Sequence, residues 1–116
     1  MSLNEDQQIQ NEMAAYINKQ HREFKTMPIY FAAPYISIAL DMDYFDRKKH
    51  PDLNVDYPNQ LKKPAYLIWD DWYAPVENHV YLDDLTARKD IKKIKTFSKK
   101  ENGYDKIRTT ILFKIE

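Results

Sequence analysis

Five apolar residues in a row, Ala65-Tyr66-Leu67-Ile68-Trp69, stand between Pro64 and the pair Asp70-Asp71. A run this short cannot make three helical turns, and its flanks are breakers, so it reads as a strand. Unbroken apolarity, in place of alternation, requires cover on both faces. That is the situation of a strand inside a sheet with helices layered over it. With 116 residues the chain can build one such core and is too short for two, so residues 1–116 are expected to form a single domain. Sixteen aromatic residues among them argue against disorder.

The segments around this strand complete an α/β reading. From about Asn4 to Phe24, Ile9, Met13, Tyr16, Ile17 and Phe24 recur near a period of 3.6, so an amphipathic helix is expected, capped by Asn4 and ending near Lys25. Ile29-Tyr30-Phe31-Ala32, between Pro28 and Pro34, is a second short strand. Pro34, at a first-turn position, then opens a short helix through Leu40. Asp41 to Lys63 is polar and reads as a long surface excursion, with one helical turn around Tyr44-Phe45 and with Leu53, Val55, Tyr57 and Leu61 pinning it down. A short helix from Tyr81 to about Lys89 follows the loop Asp70 to His79, with Leu82 and Leu85 inward. At the end, Ile107 to Ile115 alternates as a half-buried strand, Lys92 to Ser98 is a weaker one, and Asn102-Gly103 suits the hairpin turn between them. The expected architecture is a three-layer-like mixed sheet, mostly parallel, with a C-terminal antiparallel hairpin and the N-terminal helix packed on it.

Charge and composition narrow the function. Eighteen basic and eighteen acidic residues cancel, so no global field marks nucleic acid or an anionic membrane as a partner. The charges are unevenly placed: Asp41 to Leu85 carries a net of −5, and Thr86 to Glu116 a net of +6. Lys92, Lys93, Lys95, Lys99 and Lys100 either blunt a sheet edge or form a basic face for phosphate-bearing lipid or another acidic surface. Without cysteine there is no thiol nucleophile, disulfide or Cys-ligated zinc. One glycine cannot build a phosphate cradle, and no Gly-x-Ser-x-Gly elbow is present, so no cofactor is expected. The longest nearly apolar run, Ile29 to Leu40, is interrupted by Pro34 and falls short of the ~20 residues of a membrane span.

The candidate ligand-binding stretch is Trp69 to His79. It begins where the central strand ends, the place where ligands collect in open α/β sheets. Asp70, Asp71, Glu77 and His79 offer oxygen and imidazole donors to a divalent ion, and Trp72 and Tyr73 offer flat faces to a sugar. The plainer reading has Asp70 capping backbone amides, Trp69 and Trp72 in the core, and Glu77 in solvent. Asp41, Asp43 and Asp46 form a second acidic group, but they lack the glycine and the terminal glutamate of a calcium loop and read as a solvated turn. His21, His50 and His79 are scattered, with no visible nucleophile to serve.

Two stretches carry a resemblance. One is Pro28-Ile29-Tyr30-Phe31-Ala32-Ala33-Pro34-Tyr35-Ile36 with Leu40-Asp41-Met42-Asp43-Tyr44-Phe45-Asp46; the other runs from Tyr66 to Glu77 and on to Leu82-Asp83-Asp84-Leu85. Together, over about residues 10 to 115, they resemble the soluble extracytoplasmic C-terminal domain of some bacterial membrane glycosyltransferase-like proteins related to dolichyl-phosphate-mannose mannosyltransferases. The resemblance implies a small α/β layer domain set on a membrane-embedded catalytic part of the same polypeptide, at the periplasmic face. The catalytic acids of such proteins lie in the membrane part, so no catalytic role falls on any position here. It implies an accessory role, with a saccharide or lipid-linked sugar as partner and Trp69 to Glu77 as the contact. A complete, free-standing chain would instead be expected in the cytoplasm.

Overall fold

The computed structural model describes residues 5–43, 45–46, 48–100 and 107–116. Asn4, Tyr44 and the Asn102-Gly103 turn lie outside them. Helix α1 (Glu5–Gln20) is followed by a 3₁₀ turn (Arg22–Thr26), strand β1 (Ile29–Phe31), and helices α2 (Tyr35–Ala39) and α3 (Leu53–Asp56). Then come β2 (Ala65–Asp70), a π-helical turn (Tyr73–Glu77), α4 (Leu82–Thr86), β3 (Ile91–Lys100) and β4 (Ile107–Ile115).

The four strands form one mixed sheet in the order β1-β2-β4-β3. β1 runs parallel to β2, with Tyr30 opposite Leu67, while β2–β4 and β3–β4 are antiparallel. The fold is therefore α/β with a C-terminal hairpin and the N-terminal helix on the sheet. The expectation of a mostly parallel sheet is corrected, since one of the three pairings is parallel. The cause is the hairpin's placement: its second strand, and not its first, docks on β2.

β2 is buried along its whole length, and its two faces feed the two layers of the domain's core. Tyr66 and Ile68 meet Ile9, Met13 and Ile17 of α1, Ile36 of α2, and Leu112. Ala65, Leu67 and Trp69 meet Leu53, Ala74, Val80, Leu85 and Phe113 on the other side. One face thus has a long helix as its cover, and the other has short helical turns joined by loops.

Four local expectations change. α1 stops at Gln20, and the chain tightens into the 3₁₀ turn, which still buries Phe24. Lys49 closes that turn from outside, its ammonium donating to the carbonyls of Phe24 and Met27. Pro34 sits one position before the helix, where its carbonyl accepts the Ser37 hydroxyl at 2.8 Å. Among the described residues of the 41–63 excursion, a helical turn forms at Leu53–Asp56, where Asp52 accepts the Asn54 N–H at 2.9 Å. That carboxylate cap is what a helix start needs. Leu53 and Leu61 are buried, as the pinning role requires. The excursion also covers the outer edge of β1, because Ile29 N–H donates to the Lys49 carbonyl at 2.7 Å.

The fourth change concerns β4, expected to be half-buried. It lies between β2 and β3 with α1 packed on one face and the short helical turns on the other, so Arg108, Thr110 and Leu112 are buried as well as Ile111, Phe113 and Ile115. β3 takes the edge instead, with a register shift between Lys93 and Lys95. Its lysines are partly engaged within the chain. Lys92 pairs with Glu116 at 2.9 Å, Lys99 with Glu12 at 3.0 Å, and Lys95 lies 4.7 Å from the Tyr16 ring centroid.

A charged clip ties the start of β2 to the start of β3. Asp90 accepts from Arg88 at 3.0 and 2.9 Å and from Lys63 at 2.8 Å. The Arg88 hydrogen bond, then that of Lys63, holds the Asp90 carboxyl well below the ordinary carboxylate range. A depressed folded-state value means the unfolded chain takes up the proton more readily. The stabilisation is then present above the ordinary value of 3.8 and disappears as pH falls below it. Denaturant titrations at several acid pH values are expected to show a shallower loss of stability for Asp90→Asn than for the natural chain. Parallel curves would contradict the assignment.

Candidate functional site

The expected site follows β2, where the chain turns sharply away from the sheet. Asp70, the last residue of β2, is buried and accepts three backbone N–H groups: Trp72 at 3.1 Å, Tyr73 at 2.5 Å and Ala74 at 3.2 Å. One carboxylate thereby satisfies the free amides at the start of the π-helical turn, which no preceding turn supplies. Burial pushes the Asp70 carboxyl above its usual range, opposed by the same three amides. The turn then closes on itself: Asn78 N–H reaches the Tyr73 carbonyl at 3.2 Å, and Val80 N–H the Ala74 carbonyl at 2.8 Å. Trp69 fastens its far end, the indole N–H donating to the Val80 carbonyl at 2.8 Å.

Asp71 points elsewhere. It accepts the Thr109 N–H at 2.9 Å and pairs with Arg108 Nε at 3.4 Å, so it fastens the loop to β4. The guanidinium of Arg108 in turn lies 6.0 Å from the Trp72 ring centroid, within cation–π range. Neither Arg108 nor Thr109 could be assigned to this loop from the sequence. They are 37 and 38 positions from Asp71, and only the β2–β4 pairing unites them.

Each residue of the candidate set now has a place. Asp70 and Asp71 diverge, one inward to the turn and one across to β4. Glu77 and His79 are exposed, and His79 holds a left-handed backbone (φ 56°) that turns the chain toward α4. Its imidazole Nδ1 stands 3.4 Å from the Tyr81 hydroxyl. Among the described residues no three His, Asp or Glu side chains gather into a group able to hold a metal ion. The convergence required by the metal reading is thus missing from these four residues. The acidic group Asp41, Asp43 and Asp46 likewise turns to its own backbone, Asp43 accepting Phe45 N–H at 3.0 Å and Asp46 accepting Lys48 N–H at 3.2 Å.

The aromatic pair fares differently. Trp69 is in the core, but Trp72, placed there by the plainer sequence reading, is 44% exposed. Tyr73 and Val76 of the same turn are exposed too, as is Ile107 beside Arg108. The amide ladder around Asp70 explains this: the backbone turns inward to be capped, so the side chains at 72, 73 and 76 are directed out. The loop therefore presents two amphipathic rings and a valine on a firmly fastened mount, with its acids used to hold that mount.

The chain was compared with protein-family models, with curated proteins and with solved structures, and nothing matches it in any of the three.

Proposed function

We propose that this chain is a non-catalytic accessory domain of a membrane-embedded glycosyltransferase-like protein, and that the Trp72–Val76 turn is where it meets the membrane boundary beside the embedded part. The observation that carries the reading is the exposed Trp72-Tyr73 pair on a backbone locked by Asp70 and Asp71. Trp and Tyr favour surfaces where one end of the ring is apolar and the other is wet, the environment of a membrane–water boundary. A mount already fixed before contact lowers the ordering cost of binding. The two stretches that resemble such domains fall on the adjacent parallel strands β1 and β2 and on the connections leaving them. Asp70 and Asp71, the acids nearest the tip, are engaged in holding the loop, which suits docking better than proton transfer. The periplasmic face follows from the same resemblance.

Two experiments test this. The 116-residue chain is mixed with vesicles of phosphatidylethanolamine and phosphatidylglycerol, and tryptophan emission is followed. Trp72 is expected to shift to shorter wavelength, and the shift is expected to survive high salt, because apolar insertion is not screened as lysine attraction is. Trp72→Ala is expected to abolish the response at a cost in stability of about 1 kcal/mol, the loss of the Arg108 contact included, which leaves the fold in place. A vesicle response that disappears with salt and is insensitive to Trp72→Ala would assign membrane contact to the β3 lysines instead. Separately, the complete reading frame is expected to encode several apolar spans of ~20 residues. A frame encoding this domain alone would overturn the membrane-protein reading.

A further inference from the structure

A second feature lies at the same end of the sheet and owes nothing to the aromatic tip. The chain leaves β1 toward the α1 side, where Ile36 joins that core, and leaves β2 toward the opposite side, where Ala74 and Val80 are buried. Parallel neighbours whose connections part in this way open a crevice beyond their carboxyl ends. Here the crevice is a cleft of about 170 Å³, with room for about six waters at ~30 Å³ each. Phe31 and Ala32 form its β1 wall, His50, Asp52 and Asn54 come from the 41–63 excursion, and Asn78 comes from the loop after β2.

We infer that this cleft binds a neutral polyhydroxylated ring the size of one sugar residue, held chiefly by the carboxamides of Asn54 and Asn78. Three features of the lining select that chemistry. First, the two carboxamides each offer donors and an acceptor, which is what vicinal hydroxyl groups require. No hydrogen bond within the described residues engages either of them, and Asn78 is half-buried. Second, the lining disfavours an anion. Asp52 already accepts the Asn54 N–H at 2.9 Å, and no Lys or Arg is among the described residues of the cleft. Third, the base is pre-formed. The buried His50 holds its Nε2 2.6 Å from the Asp43 carbonyl, and its ring packs 5.2 Å from the Phe31 centroid. The lining is almost wholly polar, so a ligand whose hydroxyls take over the positions of several waters loses little hydrogen bonding on entry.

The test is a chemical-shift titration of the ¹⁵N-labelled chain with D-glucose, D-mannose and D-galactose in turn, and with sodium phosphate. At least one sugar is expected to move the amide signals of Ala32, Asn54 and Asn78 saturably, with a millimolar dissociation constant. Asn78→Leu and Asn54→Leu are each expected to weaken that response roughly tenfold, the cost of losing a charge-free hydrogen-bonding group at a formed site. Asn78→Asp, of nearly the same shape, serves where the leucine variants fold poorly and is expected to weaken binding while leaving the remaining spectrum in place. Three results would overturn the inference: no response to any of the sugars; an equal response of the same amides to phosphate; or shifts confined to Trp72 and Tyr73. None of these bears on the vesicle response of Trp72, so the two proposals fail separately.

Discussion

Leu67→Ala is expected to lower the free energy of unfolding by about 3–4 kcal/mol, as for other fully buried leucines truncated where neighbours cannot close in. Leu67 is at zero exposure in the middle of β2, with Tyr30 beside it on β1 and Phe113 beside it on β4. All three side chains belong to the core under the short helical turns. Strands on both sides leave little freedom to collapse into the void, so the cost belongs in the upper part of the usual range. For a chain of this size such a loss lowers the melting temperature by about 10 °C or more. Ile38→Ala, at a position 69% exposed on the short α2, serves as the comparison and is expected to change stability by no more than about 0.5 kcal/mol. Equal effects at the two positions would mean that β2 is not the covered centre of the sheet.

Asp70→Ala is expected to cost about 2–3 kcal/mol by a different route, because it strands the amides of Trp72, Tyr73 and Ala74 without an acceptor. Local disorder accompanies the loss: amide exchange across 72–76 is expected to accelerate more than exchange in β2 itself. The pH dependence gives an independent check. Burial raises the folded-state value of Asp70 above its ordinary 3.8, so the folded chain takes up this proton before the unfolded chain does. Its contribution therefore rises as pH falls from the raised value to 3.8 and is lost again as pH climbs. Asp90 behaves oppositely and acts below 3.8. Asp70→Asn, which keeps one acceptor, is expected to remove the gain on mild acidification and to be better tolerated than the alanine variant. Denaturant titration between neutral and acid pH separates the two aspartates; an unchanged profile for Asp70→Asn would contradict the assigned environment.

Much of this arrangement is legible residue by residue, and the parts that are not share a cause. The run from Ala65 to Trp69 specifies a strand covered on both faces because its composition leaves no polar side to expose. Ile29 to Phe31 is marked by its flanking prolines, and Asp70 as a cap by its place at the end of an apolar run. What escapes is what depends on partners distant in the chain. Arg108 and Thr110 look like the wet half of an alternating strand, yet β4 is central in the sheet and its Leu112 face lies on the side packed by α1, so its polar half is covered too. The helical turn at Leu53–Asp56 follows the Asp52 cap, a local signal available in the sequence and outweighed there by apolarity. Trp72 reads as core by its composition. Its outward direction is imposed by three amides converging on Asp70, a geometry that no spacing rule encodes.

The docking tip, the sugar-sized cleft and the effects of Leu67 and Asp70 all presuppose that β2 is the shielded, rigid centre from which both connections depart. Native-state hydrogen exchange of the 116-residue chain measures this directly. The amides of Leu67 and Ile68 are expected to exchange only through global unfolding, with an opening free energy equal to that obtained from denaturant, while those of α2 and α4 open locally at much lower cost. Exchange of Leu67 and Ile68 as fast as that of α4 would contradict the account.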